Sequence, residues 1–301
     1  MRNKEPKIEV KKRGNRLGFW FFKFFLMVFG LGGSYGLLYL VSLHYLIFDR
    51  LAVKNSLSYI KRRFPHSGFL KNRINIYSLF VSQGKQLIDR FAIISGKDIF
   101  DLELKGFDKL NNLLSNKEKG FVLLTAHVGN WQIALTVLKK INRQVYLVMR
   151  PEDNPAVKES LNIDSQDNFI RIISPEGYLG GVVESMNALK SGNIVSIMGD
   201  RKYGFEALGV SFLKDTAYFP FGAFSIAASS DCPVVVLLSA KLSRYKYVVD
   251  VSNIIYPKYG SKADKRQQLK AYVQEFADIL EAYVKEFPFQ CFLFHDVWGK
   301  E

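Results

Sequence analysis

The sequence predicts an α/β fold: a mixed central sheet flanked by helices, preceded by an N-terminal helical segment that associates with a membrane. Three observations carry this. Short apolar runs alternate with helix-period stretches from Phe107 onward, Phe24–Leu43 holds twenty residues without a charge, and positive charge is gathered on both sides of that run. The 301 residues are 48% hydrophobic and 14% aromatic, which excludes a disordered or fibrous chain. Two cysteines, Cys232 and Cys291, too far apart for a metal knuckle, exclude a disulfide scaffold and read as buried free thiols.

The basic N-terminus and apolar run occupy residues 1–50. Residues 1–63 hold 13 basic and three acidic side chains, most of the net charge of +14. The run is too long for the core of a cleaved signal, and no small-residue cleavage site follows it before His44. Gly30, Gly32, Gly33 and Gly36 interrupt it and leave three readings open: a tilted span, two half-helices in one leaflet, or a soluble core helix. Gly32 and Gly36 also have the spacing of a helix-packing face. The Lys61-Arg62-Arg63 flank suits contact with an anionic membrane surface. Because the basic residues border an apolar segment, no nucleic acid is expected as a partner.

Residues 51–301 are expected to form the second domain, helical over 51–106 and α/β over 107–301. Ile60, Phe64, Leu70, Ile74, Leu79 and Leu87 recur amid lysines and arginines as in amphipathic helices. Strands are predicted at Gly120–Ala126, Val145–Met149, Ile170–Ile173, Ile194–Met198, Val234–Leu238, Tyr247–Val251 and Gln290–Phe294. Helices are predicted at Trp131–Lys140, Tyr178–Lys190, Gly222–Ser230 and Ala263–Phe287. Continuous rather than alternating apolar runs call for a sheet covered on both faces.

Of the four histidines, His127 stands apart. It follows the strand ending at Thr125 and opens a turn before a helix, the place where α/β proteins bind ligands. A helix N-terminus disfavours imidazolium and keeps the ring neutral, as a general base requires. His44 and His66 read as interfacial, without a metal-ligand pattern, and no metal is expected. Nucleophile-elbow, P-loop and dinucleotide-binding motifs are absent from the sequence.

The blocks Ala126-His127-Val128-Gly129-Asn130-Trp131-Gln132, Val148-Met149-Arg150-Pro151 and Ile197-Met198-Gly199-Asp200-Arg201 resemble the bacterial lipid A biosynthesis (lauroyl/myristoyl) acyltransferase family of the lysophospholipid acyltransferase superfamily. Phe219-Pro220-Phe221-Gly222, Phe287-Pro288-Phe289-Gln290 and the apolar N-terminal segment extend the resemblance in the family's order. It implies transfer of a fatty acyl group from acyl carrier protein or coenzyme A, as co-substrate and without a cofactor, to a hydroxyl of a membrane lipid. It also implies the bacterial inner membrane, with the catalytic domain on the cytoplasmic face.

The family pairs its histidine with an acid five positions later, which holds the imidazole tautomer; here that position is Gln132. Three readings stay open: Gln132 orients His127, Asp200 substitutes, or the chain is an inactive relative serving as a membrane-bound docking subunit. The resemblance gives Arg150, and with it Arg201, an anionic donor or acceptor group to engage, and a guanidinium suits that role. Asn130, Trp131 and Gly222 complete the expected substrate-binding set, with Asn130 also placed to cap the following helix. Pro175-Glu176-Gly177 mimics a glycerolipid acyltransferase block out of order and reads as coincidence. His295 reads as structural. The basic stretch Lys258–Lys270 has two readings, a solvated loop or a dock for an acidic carrier protein.

Overall fold

Where the sequence concentrates Val, Ile and Leu in runs of four to eight, the computed structural model has strands; residues 24–138, 143–149, 170–175, 178–201, 206–260, 264–294 and 296–299 are described. The strands are β1 (Asp101–Lys105), β2 (Phe121–Thr125), β3 (Val145–Val148), β4 (Ile170–Ile173), β5 (Ile194–Met198), β6 (Ala207–Phe212), β7 (Asp215–Pro220), β8 (Val234–Lys241) and β9 (Lys246–Ile255). The helices are α1 (Gly30–Phe48), α2 (Arg50–Arg63), α3 (Phe69–Ile94), α4 (Phe107–Ser115), α5 (Trp131–Leu138), α6 (Val182–Lys190), α7 (Gly222–Ser229) and α8 (Lys265–Glu286).

Seven strands form one sheet in the order β1-β9-β8-β2-β5-β3-β4, and β6 and β7 form a separate hairpin. From β8 to β4 the strands are parallel; β9 turns back antiparallel to β8, and β1 runs parallel to β9, so the sheet is mixed. Side-chain alternation along β2 sends Val122 and Leu124 to a core shared with Phe224 of α7 and Phe276 of α8. Phe121 and Leu123 go to the opposite core, with Leu110 of α4 and Ala134 of α5. Each such valine, leucine or phenylalanine side chain, buried completely, contributes about 1.5–3 kcal/mol. Register aligns Phe121, Ile194, Val145 and Ile170 across β2, β5, β3 and β4, so these strands finish at a common carboxyl edge.

Three expectations change. β1 lies within the stretch read as helical; its sequence DLELK is polar because it is a partly exposed edge strand. Gln290–Phe294 is not a strand: its one bridge joins Cys291 to Val128, and Phe292 and Leu293 are buried as a wall beside the sheet edge. Gly32 and Gly36 do not carry the helix contact. The close approach of α1 and α3 falls at Gly84, where an added Cβ would stand 2.2 Å from Leu38 Cδ1.

Helix α1 is, among the described residues, the one helix long and apolar enough to cross a membrane. Leu31, Tyr35 and Leu38 bury one face of it against Ile88 and Ala92 of α3, while Leu40, Ile47 and Phe48 remain exposed. A buried polar cluster adds to this seam. Asp89 of α3 accepts hydrogen bonds from the hydroxyls of Tyr35 and Tyr247 and from Lys241 Nζ at 2.6 Å. The basic flank is partly consumed within the protein. Arg62 forks onto Asp215 at 2.8 and 3.0 Å, and Arg63 caps the last carbonyls of α8, donating to Val284 at 2.9 Å and Lys285 at 2.8 Å. Both thiols are buried and free, as the sequence predicts; burial pushes Cys232 up to about 12 and Cys291 higher still.

Candidate active site

The carboxyl ends of β2, β5 and β8 lie side by side and bring together residues far apart in sequence. Immediately after β2, the chain must leave the sheet beneath the wall formed by Gln290–Phe292. It does so through Gly129, whose φ of +51 and contacts both exclude a side chain: an added Cβ would lie 1.5 Å from the Ser239 carbonyl oxygen. The turn is fixed on both sides. Gly129 N–H donates to the Gln290 carbonyl, and Phe292 N–H donates to the His127 carbonyl, each at 2.8 Å.

Asn130 then starts α5. Its Oδ1 accepts the Ile133 N–H at 3.3 Å, the N-cap expected from the sequence, while its Nδ2 donates to the Gln86 carbonyl at 3.0 Å. Its own N–H donates to Ser239 Oγ at 2.9 Å. With its amide turned inward, Asn130 holds the turn rather than facing a ligand. Asn130→Ala is therefore expected to destabilise the protein by about 1–3 kcal/mol, a lost cap plus an orphaned carbonyl. Denaturant unfolding checks this, and Asn130→Asp, which keeps the cap acceptor but turns a carboxylate oxygen onto the Gln86 carbonyl, is expected to restore none of the loss.

Asp200 emerges from the neighbouring strand β5 and reaches His127. Its Oδ1 and Oδ2 lie 2.9 and 3.0 Å from His127 Nδ1, and Oδ2 also accepts the His127 backbone N–H at 2.9 Å. Asp200 is fully buried, whereas the His127 side chain keeps 20% of its surface accessible. Burial alone would raise the Asp200 carboxyl. The His127 ring, its hydrogen bond, the Arg201 guanidinium and the His127 amide outweigh burial and hold the carboxyl down to about 2. At neutral pH Asp200 is an acceptor only, so Nδ1 of the neutral imidazole carries the hydrogen and Nε2 is left as the basic nitrogen.

Gln132 sits half-buried in the first turn of α5, and no hydrogen bond joins it to His127. Arg201 follows Asp200 and donates to the Phe292 carbonyl at 3.4 Å. Trp131 packs against the α4 and α5 side of the sheet. Gly222 opens α7, whose Ala223, Phe224, Ile226 and Ala227 are all buried in helix-on-sheet packing. Arg150 and His295 lie outside the described residues, as do Glu176 and Gly177. Within Lys258–Lys270, Arg266 is paired with Glu206 at 3.1 Å, and Lys258 and Lys270 are exposed.

Sequence reasoning passed over the uncharged residues that brace this turn. Gln290 Oε1 accepts from Lys241 N at 2.8 Å and Gln86 Nε2 at 3.0 Å, and Gln290 Nε2 donates to the Lys241 carbonyl at 2.9 Å. Gln86, Ser239 and Gln290 come from α3, β8 and the segment after α8. Nothing in their spacing marks them; the block ending at Gln290 was the one available pointer.

The family model described as bacterial lipid A biosynthesis acyltransferase matches residues 90–300. No curated protein sequence matches the chain. Among solved structures, the chain is similar to the 1-acyl-sn-glycerophosphate (LPA) acyltransferase PlsC from Thermotoga maritima. The identity is 14%, the match covers 79% of this chain and 98% of that one, and the TM-score is 0.41.

Proposed function

Because the chain belongs to the bacterial lipid A biosynthesis acyltransferase family and is a lipid acyltransferase, we propose that it moves a fatty acyl group from a thioester of acyl carrier protein or coenzyme A to a hydroxyl of a membrane lipid, with His127 as general base and Asp200 as its orienting acid. The observation that carries this reading is the 2.9 Å contact between His127 Nδ1 and the buried Asp200 carboxylate. It supplies what Gln132 lacks, a negative charge facing the imidazole.

In the proposed step, the acceptor oxygen attacks the thioester carbonyl carbon while His127 Nε2 takes its proton. Asp200 stabilises the imidazolium that forms. Collapse of the tetrahedral intermediate breaks the C–S bond, and the proton passes from His127 to the departing sulfur, giving an ester and a thiol. Arg150 and Arg201 are proposed to position an anionic group of donor or acceptor, with Trp131 and Gly222 lining the approach. Asn130 acts through the turn it caps.

Helix α1 is proposed to lie in the membrane interface rather than cross it. Its buried face is fastened to α3, which carries Lys71, Arg73, Lys85 and Arg90, and a crossing α1 would drag those charges into hydrocarbon. In a bacterium the enzyme is proposed to sit at the inner membrane with its catalytic domain on the cytoplasmic face, and a lipid A-like lipid is one candidate acceptor.

Membranes carrying wild type, His127→Ala or Gln132→Glu, supplied with labelled acyl carrier protein or acyl coenzyme A and a total lipid extract, test this. Wild type is expected to label a lipid, and His127→Ala to transfer about 10²–10⁴-fold more slowly. Gln132→Glu is expected to change the rate by less than about tenfold, since Asp200 already fixes the tautomer. Silence of wild type with both donors, combined with activity in Gln132→Glu, would show an inactive family member and sink the reading.

A further inference from the structure

Beside the catalytic turn lies a second cleft, of about 890 Å³, between α1, α3, the β8–β9 turn and the segment that follows α8. His127 and Asp200 do not line it; Gln290, whose backbone carbonyl holds Gly129, forms part of its wall. From α1 the cleft takes Gly32, Tyr35, Gly36 and Tyr39, one helical face. From α3 it takes Ser78, Ser82 and Lys85, again one face.

Three cations converge here. Lys241 is neutralised by Asp89, whereas neither Lys85 nor Arg244 pairs with a carboxylate among the described residues. Lys85 Nζ stands 5.5 Å from the Tyr35 ring centre and 5.2 Å from that of Tyr39. The Arg244 guanidinium is pressed onto Gly32, where an added Cβ would lie 2.0 Å from its Nη2. At Gly36 a Cβ would meet nothing within 4 Å, so the floor of the cleft is open. Burial lowers the Lys241 ammonium; Asp89 opposes this, while Lys85 and Arg244 press it lower still. Glu286, exposed, is the acid in the lining besides the buried Asp89 cluster behind it. Like charges gathered in a half-sheltered cleft repel unless an anion joins them.

We propose that this cleft seats the phosphate headgroup of an anionic membrane lipid, held by Lys85 and Arg244, with its chains running along the exposed apolar face of α1. Its volume is that of a site for a drug-sized ligand, far beyond what a free phosphate ion fills. The Ser78 and Ser82 hydroxyls supply further donors. Tyr39, Leu40, Leu43 and Ile47 continue from the cleft as exposed apolar surface on α1. Lysine and arginine beside aromatic rings at a membrane interface are suited to phosphate above and hydrocarbon below. The inference rests on the interfacial placement of α1 and not on acyl transfer.

The full chain, purified in detergent, is titrated with dioleoyl phosphatidic acid, dioleoyl phosphatidylcholine or inorganic phosphate, and bound lipid is counted by native mass spectrometry. Wild type is expected to retain one phosphatidic acid at least about tenfold more tightly than phosphatidylcholine, a difference of one charge-assisted contact. Lys85→Gln with Arg244→Gln is expected to remove that preference. Gly32→Leu, which displaces the guanidinium without removing charge, is expected to weaken the same lipid, and Lys270→Gln, an exposed lysine elsewhere, to leave it unchanged. Retention of the preference in the double variant, an equal loss in Lys270→Gln, or displacement by equimolar inorganic phosphate each overturns the site. Flotation on phosphatidylcholine vesicles reports separately on the membrane placement of α1. His127→Ala, which removes transfer, is expected to retain the lipid, so failure of the catalytic reading and of this one are told apart.

Discussion

Asp200→Asn is expected to lower acyl transfer about 10³–10⁴-fold while the protein stays folded, the scale seen when an orienting carboxylate is replaced by its amide. The amide presents one acceptor oxygen in place of two and no charge to balance imidazolium. It can also donate to Nδ1 and so favour the wrong tautomer. A radiolabelled transfer assay checks the rate, and activity within tenfold of wild type would remove Asp200 from the site. Acid unfolding gives an independent reading of the same contact. The Asp200 carboxyl titrates near 2 in the folded chain against an ordinary value of 3.8, so its contribution to stability is fully present above about pH 4 and is lost as pH falls toward 2. The stability difference between wild type and Asp200→Asn is therefore expected to shrink as pH falls from 4 to 2.

The second large effect is expected at Gly129→Ala. Two costs coincide there, a left-handed backbone that disfavours any Cβ and a backbone oxygen already inside the space it needs. A flexible side chain can swing away from such a contact; the Ser239 carbonyl is held in β8 and cannot. The substitution is expected to cost more than about 3 kcal/mol, and any folded fraction to lose transfer because His127 moves with its turn. Gly36→Ala provides the contrast. With nothing within 4 Å and a helical setting, it is expected to stabilise the chain by up to about 1 kcal/mol. Parallel denaturant titrations of the two variants check both, and comparable effects would show that the turn at Gly129 is not constrained as described.

The parallel strands were legible because a sheet buried on both faces demands uninterrupted apolar runs: Ile170–Ile173 and Ile194–Met198 fall on β4 and β5 residue for residue. The β6–β7 hairpin was not, because its turn is built from Leu213 and Lys214, both at positive φ, in place of the Asn-Gly or Asp-Gly pair that announces such turns. Gln290–Phe294 misled for a related reason. Its apolar side chains are buried by the neighbouring segments and not by a ladder of strand partners. At the site, His127 declared itself through its setting. Asp200 was one of three alternatives because the contact depends on β5 lying beside β2, a neighbour relation that spacing along the chain does not encode. Asn130 was read as a cap from its position ahead of a helix, but Gln86, Ser239 and Gln290 brace the turn through neutral amide and hydroxyl contacts that carry no motif.

The separation of His127 from Asp200 has a further consequence, for the order in which the molecule becomes competent. The two residues are 73 positions apart and meet only after β5 has paired with β2. A histidine and an acid placed four residues apart on one helix would meet as soon as that helix formed, within microseconds. Here the loop between them must close and two parallel strands must align before the pair exists at all, and parallel pairing across long separations is among the slower steps of folding. A nascent or partly refolded chain, whatever its helix content, therefore holds an imidazole with no partner. The His127–Asp200 pair is complete only once β5 lies beside β2.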